Sequence, residues 1–427
     1  MDAPVELAER RESQRWYAQV TRYQWMVLAV ASAGWVFDAF EGQLFNLTRL
    51  DMLRDVLPGN PQGQKFWSDL LLAVFLLGGT VGGIGFGKLA DRVGRKPAMA
   101  TTILFYAIFS GLTCFATHVW HVALLRFLVA MGVGGEWAVG AALVSEVFPA
   151  QARARAGAIF HGTSVFGTWI AAAAGLLVAS NWRYAYLVGV LPALLVFWVQ
   201  ISIREPERWQ QAVADRRPMG SLRELFGDPV WRRRAVFGLL LAAIGLGTFW
   251  GVVVAGQDLA RELLRRNGVN AVVAAERSKI AYGFVQAAGM GLGFLCFGPA
   301  AERLGRRGAF LLWHLCAFAV VPVTCFLPHT YLQILLVLPA FGFFTGGMHA
   351  GYAIYFPELF PSNLRATGSG VCFNGGRFIA APLLWVSAEL KAVMDLRSAV
   401  TVLATLYLLG ALLLIFLPET KGKPLPE

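Results

Sequence analysis

Charge is scarce in this chain. Only 15% of its 427 residues are Asp, Glu, Lys or Arg, against about 25% in soluble domains. An ordinary water-facing surface is thereby excluded over most of the length. Cysteine is scarce too: Cys114, Cys296, Cys316, Cys325 and Cys372 all fall inside apolar runs at unrelated spacings. Neither a disulfide framework nor a zinc pattern follows. No G-x-x-x-x-G-K-[ST] loop occurs, which excludes a pump driven by a P-loop nucleotidase. No clustered nucleophile or metal-ligand set occurs either, so no enzyme is expected and no cofactor is implied.

Apolar residues take the place of charge, at 57% of the chain with a mean hydropathy of +0.57. Runs of membrane-spanning length recur near 24–47, 66–90, 98–117, 121–146, 155–179, 183–202, 234–257, 280–301, 309–327, 331–357, 367–390 and 396–417. Each is long enough to cross about 30 Å of hydrocarbon as a helix. The expectation is an all-α integral membrane protein of twelve transmembrane helices. The first run follows a charged segment without a small-residue cleavage site, so no signal peptide is expected.

The net charge of +11 is distributed in a way that argues against nucleic acid. Arg10, Arg11, Arg15, Arg22, Arg92, Arg95, Lys96, Arg153 and Arg155 fall in one alternate set of loops. So do Arg216, Arg217, Arg223, Arg232, Arg233, Arg234, Arg303, Arg306, Arg307, Lys421 and Lys423. The short opposite loops near 118–121, 180–183 and 328–330 hold almost none, and the loop at 258–279 is mixed. The positive-inside rule then puts both termini in the cytoplasm of a multi-pass protein of a bacterial inner membrane.

Two internal echoes share nearly one offset. "GKLADRVGRK" (87–96) returns as "GPAAERLGRR" (298–307), and "EVFPAQARA" (146–154) returns as "ELFPSNLRA" (358–366). Duplicated halves of six spans are expected: 1–203, a charged cytoplasmic linker at 204–233, and 234–427.

Several segments carry the opposite of what a lipid environment favours. "GWVFDAFEGQLFNL" (34–47) holds Asp38 and Glu41, each costing about 2.5–3.5 kcal/mol at mid-bilayer. At 1.5 Å rise per residue, Asp38 lies roughly 15 Å below the outer end of the first span and Glu41 roughly 10 Å. Arg126 in the fourth span lies about 8 Å from the same surface and Glu136 about 22 Å. Arg126 can thus reach Glu41 or Asp38, while Glu136 is deeper. Asp38 and Glu41, at i and i+3, share one helix face and can look into one cavity. Three acids and one arginine leave excess carboxylate, which suits a proton carrier. The plainer reading is that Arg126 neutralises Asp38 to hold two helices together.

Arg377 in "CFNGGRF" (372–378) has no acid within a turn or two of its own span. It lies about 18 Å along a helix entering from the cytoplasm. An isolated guanidinium there calls for an anion, and a carboxylate accepts its paired donors; an acid on a neighbouring span is the alternative. Asn374 lies one turn away on the same face. Among weaker candidates for lining the path are His161, His349, Gln257, Gln286, Tyr352 and Tyr355, with Trp250 and Phe249 able to stack on a ring. A satisfied core histidine is the default for His161 and His349.

The loop "GKLADRVGRK", the glycine-spaced "RFLVAMGVGGEW" (126–137) and "PELFPSNLRATG" (357–368) together resemble the major facilitator superfamily. The resemblance covers residues 20–420. "GWVFDAFEG" with "GVGGEWA" is most similar to its sialate:proton symporter branch and organic-acid relatives, which usually have Asp where this chain has Glu41. It implies a cytoplasmic latch in which Asp91 caps the start of span 11. Arg95 would pair with Glu146 beside Arg153, and Glu302, Arg306, Glu358 and Arg365 would repeat the arrangement. It also implies proton coupling through the span-1 acid and span-4 arginine. The expected function is a monomeric proton-coupled symporter of a small organic anion, such as a carboxylate or sialic acid. A neutral sugar or polyol:proton porter is the alternative, and an exporter of cationic drugs the third.

Overall fold

The computed structural model describes residues 16–177 and 181–427. Arg10, Arg11 and Arg15 lie outside the described residues, as does the 155–179 run beyond Leu177. No strand occurs among the described residues.

The first group of helices is α1 (Arg22–Val56), α2 (Pro61–Val93), α3 (Arg95–Thr113), α4 (Val119–Val147), α5 (Ala150–Gly162), α6 (Ser164–Leu177), α7 (Trp182–Val188) and α8 (Leu195–Ser202). Two short helices, α9 (Glu207–Ala214) and α10 (Leu222–Gly227), occupy the charged stretch that follows. The second group is α11 (Pro229–Thr248), α12 (Ala255–Arg266), α13 (Ala271–Ile280), α14 (Ala287–Phe326) and α15 (Tyr331–Gly347). It ends with α16 (His349–Glu358), α17 (Arg365–Val393), α18 (Leu396–Ala404) and α19 (Leu406–Leu413).

Each of the twelve apolar runs is mostly helical over its described residues, the run at 98–117 leaving its helix after Thr113. Among those residues, eight helical stretches are long and apolar enough to cross a membrane by length and composition. The runs at 280–301 and 309–327 lie on one continuous helix assignment, interrupted at Gly305 by φ 82°. Two π-helical segments, Phe249–Val253 and Ala281–Gln286, join α11 to α12 and α13 to α14. Such i→i+5 turns often mark functional sites.

Glycine spacing sets how closely these helices pack. A Cβ on Gly78 would lie 2.3 Å from the Phe127 carbonyl oxygen, and one on Gly82 would lie 2.0 Å from that of Met131. These contacts press α2 onto α4. Gly289 and Gly293 meet the carbonyls of Pro339 and Phe343 in the same way, at 2.1 and 2.3 Å. From Gly78 to Gly289 and from Gly82 to Gly293 the offset is 211, and from Phe127 to Pro339 it is 212. The repeat read from the motifs is thus repeated in helix packing. Between the groups, α2 packs on α17 and α5 on α14.

Candidate functional site

A cavity of about 240 Å³ lies between the two groups. Trp35, Asp38, Arg126, His161, Ser164 and Thr168 line it from the first group. Phe249, Trp250, Gln286, His349, Phe373 and Arg377 line it from the second. The two π-helical segments both border it, supplying Phe249, Trp250, Val253, Tyr282 and Gln286.

The first-group charges divide into two sets. Arg126 is held between the faces of Phe75 and Phe45, at 3.8 and 4.1 Å from the ring centroids, a geometry that stabilises a guanidinium away from water. Its ion pair is with Glu41, at 3.8 Å. Glu41 turns from the cavity and accepts the Ser110 hydroxyl at 2.8 Å. Asp38 and Glu136 form the other set: the two carboxyls interact with each other, the Tyr106 hydroxyl stands beside Glu136, and none of the four carboxyl oxygens makes a hydrogen bond of regular geometry. Glu136 does not line the cavity; its Oε1 sits against Gly34 of α1, where an added Cβ would lie 1.6 Å away.

Arg377 reaches this second set from the other group. Its charge and that of Asp38 act on each other. The two make no ion-pair contact, and Arg377 Nη1 lies without a partner against Gly79. The remaining edge of the guanidinium has no protein acceptor and opens on the cavity.

The weaker candidates scatter. His161, His349 and Gln286 line the cavity, whereas Gln257, Asn374, Tyr352 and Tyr355 do not. Asn374 ties helices together: its Nδ2 donates to the Gly134 carbonyl at 3.0 Å, and its own carbonyl accepts the Thr80 hydroxyl at 2.9 Å. Tyr352 is fully buried, stacked on Phe356 with its hydroxyl on the Leu241 carbonyl. Tyr355 donates to the Pro418 carbonyl and so belongs to the arginine-rich end. Gln286 Nε2 donates to the Val253 carbonyl at 2.7 Å, linking the two π-helical segments.

At that end the groups are bound by a closed network. Asp91 accepts the backbone N–H groups of Ala366 and Thr367, at 3.1 and 2.8 Å, capping the start of α17. Arg95 donates to both Glu146 oxygens, at 3.0 and 2.7 Å, and to Asp91 at 2.8 Å. Arg306 makes the matching two contacts to Glu358, at 2.9 and 2.7 Å. The remaining arginines cross between groups: Arg365 donates to Glu146 at 2.6 Å, and Arg153 lies 3.9 Å from Glu358. Glu302 departs from the expected repeat. It pairs with Arg155 at 2.7 Å instead of capping a helix as Asp91 does.

Sequence reasoning missed two acids here. Glu205 accepts the N–H groups of Arg95 and Lys96 at 2.7 and 2.9 Å; Glu419 accepts those of Arg306 and Arg307 at 2.9 and 3.0 Å. The loop glycines make this possible. Gly94 and Gly305 have φ 109° and 82°, and a Cβ on either would lie 2.6 Å from the Glu205 or Glu419 carboxylate. The signal was available, because "EPE" (205–207) and "PET" (418–420) each follow the last apolar run of their group.

Helices long and apolar enough to cross a membrane thus surround an interior cavity and are joined by ion pairs at one end. Residues 67–275 match the model of the Major Facilitator Superfamily, and the full-length relatives to which the chain is similar are named as transporters. It is 29% identical to the "Probable 4-methylmuconolactone transporter" of Cupriavidus pinatubonensis, over 95% of this chain and 93% of that one. It is 28% identical to the sialic acid transporter NanX of Escherichia coli, over 86% and 88%. Its fold is similar to that of the proton:xylose symporter XylE, with a TM-score of 0.76 at 17% identity over 94% of this chain and 98% of that one.

Proposed function

We propose that this chain is a proton-coupled symporter of a small organic anion, and that Arg377 holds the carboxylate. The observation that carries the reading is the open Arg377 guanidinium facing Asp38 across the cavity without contact. While Asp38 is ionised, Arg377 divides its attraction between Asp38 and an incoming carboxylate. A proton on Asp38 leaves Arg377 to the substrate. By linkage, each then strengthens the binding of the other, and the pair crosses together. Glu136 shares in this, since a proton held between it and Asp38 relieves the repulsion of two neighbouring carboxylates. Arg126 and Glu41 are a neighbouring charge-balanced pair that holds α1 to α4.

The named relatives support the anion class: sialic acid carries a carboxylate, and the muconolactone transporter is a full-length match. In this reading the halves are 1–203 and 234–427, joined by 204–233. The chain acts as a monomer, with both termini in the cytoplasm of an inner membrane. The halves rock about the cavity, and the network around Arg95, Glu146, Arg306 and Glu358 opens once per cycle. The test is uptake of a radiolabelled carboxylate into proteoliposomes under an inward proton gradient. Wild type should accumulate it; Asp38→Asn should lose accumulation yet retain exchange of internal for external solute. Undiminished accumulation by Asp38→Asn would remove Asp38 from the coupling role. Transport of neutral sugar alone would favour the polyol porter.

A further inference from the structure

We propose that His161 is a second substrate-anchoring donor opposite Arg377, and that the transported acid carries a hydrogen-bond acceptor besides its carboxylate. This rests on the organic-anion reading above. The Trp137 indole N–H meets His161 Nδ1 at 3.4 Å. An indole nitrogen can only donate, so Nδ1 accepts, and in the neutral ring the hydrogen sits on Nε2. Nε2 has no protein partner and opens on the cavity. The ring cannot turn freely, because Trp35 and Phe294 pack against it at centroid distances of 5.3 and 5.0 Å. Trp35 Nε1 and Ser164 Oγ both donate to the His161 backbone carbonyl, so neither competes for the ring.

The two donors are linked through a pair of stacked rings, of which Phe373 lines the cavity and Trp137 does not. Trp137 stacks on Phe373 at 3.9 Å with 22° between planes, and Arg377 lies over Phe373 at 5.6 Å. Gln286 Nε2 and His349 Nδ1 are engaged with the Val253 carbonyl and, at 2.9 Å, the Gly346 carbonyl, which leaves Gln286 Oε1 and His349 Nε2 as buried acceptors without a partner. Gln43, Thr168 and Tyr282 stand four or five residues along their helices from Asp38, Ser164 and Gln286, about 6–8 Å farther from the arginine-rich end. Arg377 and His161 thus present one charged donor and one neutral donor to the cavity. A neutral donor suits a carbonyl oxygen or a ring nitrogen, so the substrate class is a compact, flat acid bearing one of these.

Calorimetry on the purified full-length protein tests this with isosteric pairs: nicotinate against benzoate, and 4-oxopentanoate against pentanoate. In at least one pair the acceptor-bearing acid should bind about 2- to 12-fold tighter, the worth of one hydrogen bond. His161→Phe should abolish that ratio. Trp137→Phe, which keeps the ring but releases the tautomer, should reduce it. General damage to the site would lower both members of a pair and leave the ratio intact, and a failure of one variant to fold leaves the other informative. Equal affinities within both pairs in the wild type would overturn the role of His161 while the anion reading stands. So would a ratio that survives His161→Phe. If nicotinamide and pentanamide bind as tightly as the matching acids, the anion reading itself fails and this inference with it.

Discussion

Arg377 is where the residue-scale account is most exposed. One bidentate charge-assisted contact in a desolvated site is worth about 2–5 kcal/mol, or roughly 30- to 5000-fold in affinity. Arg377→Ala should therefore lose that much for a confirmed carboxylate, with no loss for its uncharged amide. Arg377→Lys should also bind poorly, because a point charge lacks the planar fork. Calorimetry with acid and amide side by side checks both. Residue types in the membrane were legible from sequence, since each charge there is expensive enough to need a reason. Their partners were less so. Depth along a helix left Arg126 a choice between Glu41 and Asp38, and the packed helices pair it with Glu41. The Asp38–Arg377 relation joins helices 339 positions apart in sequence, which no spacing rule within one half reveals. Tyr352 and Asn374 show the same limit, each bonded to a carbonyl of a neighbouring helix, and Tyr355 belongs to the arginine-rich end.

At the scale of elements, the signature loops work as glycine-shaped seats for a carboxylate. Gly94→Ala combines an unfavourable positive φ with a Cβ driven against Glu205. It should lower the melting temperature in detergent more than Gly85→Ala, where an added Cβ meets nothing within 4 Å. Glu419 makes the matching seat sensitive to acid. Burial opposes its ionisation, but the N–H groups of Arg306, Lys421, Arg307 and Thr420 outweigh burial and hold the carboxyl below its ordinary range. A depressed folded-state value means the contact contributes fully above the unfolded value and is lost as pH falls through the folded one. Hydrogen exchange at Arg306 and Arg307 should accordingly rise only once pH falls below the ordinary glutamate range; in Glu419→Gln it should be raised at neutral pH. Helix positions were legible because apolar runs of bilayer length have few alternatives. The π-helical segments were not, since nothing in "FWGVV" or "AYGFVQ" separates an i→i+5 turn from an ordinary one.

The whole molecule is a pair of repeats closed on each other at the arginine-rich end. Asp91 caps α17 across the seam, Arg365 reaches Glu146, and Arg153 approaches Glu358. Asp91→Asn should weaken this closed state and slow turnover, leaving the set of competing solutes unchanged in a transport competition assay. A shifted substrate preference would place Asp91 in the wrong role. The duplication was legible in two motif echoes, and the glycine contacts at the same offsets follow from it. What could not be read was how the cavity distributes charge between the halves, which depends on their docking and not on either copy alone.

The central claim is that one proton and one anion are linked through Asp38 and Arg377. The dissociation constant of a confirmed carboxylate, measured on purified protein from pH 5 to pH 9, tests it most directly. Because the protonated site binds the anion better, affinity should fall as pH rises, approaching about tenfold per pH unit once Asp38 is ionised in the free protein. Asp38→Asn should flatten that slope while retaining binding. A wild-type dissociation constant that stays level across the whole range would contradict the account.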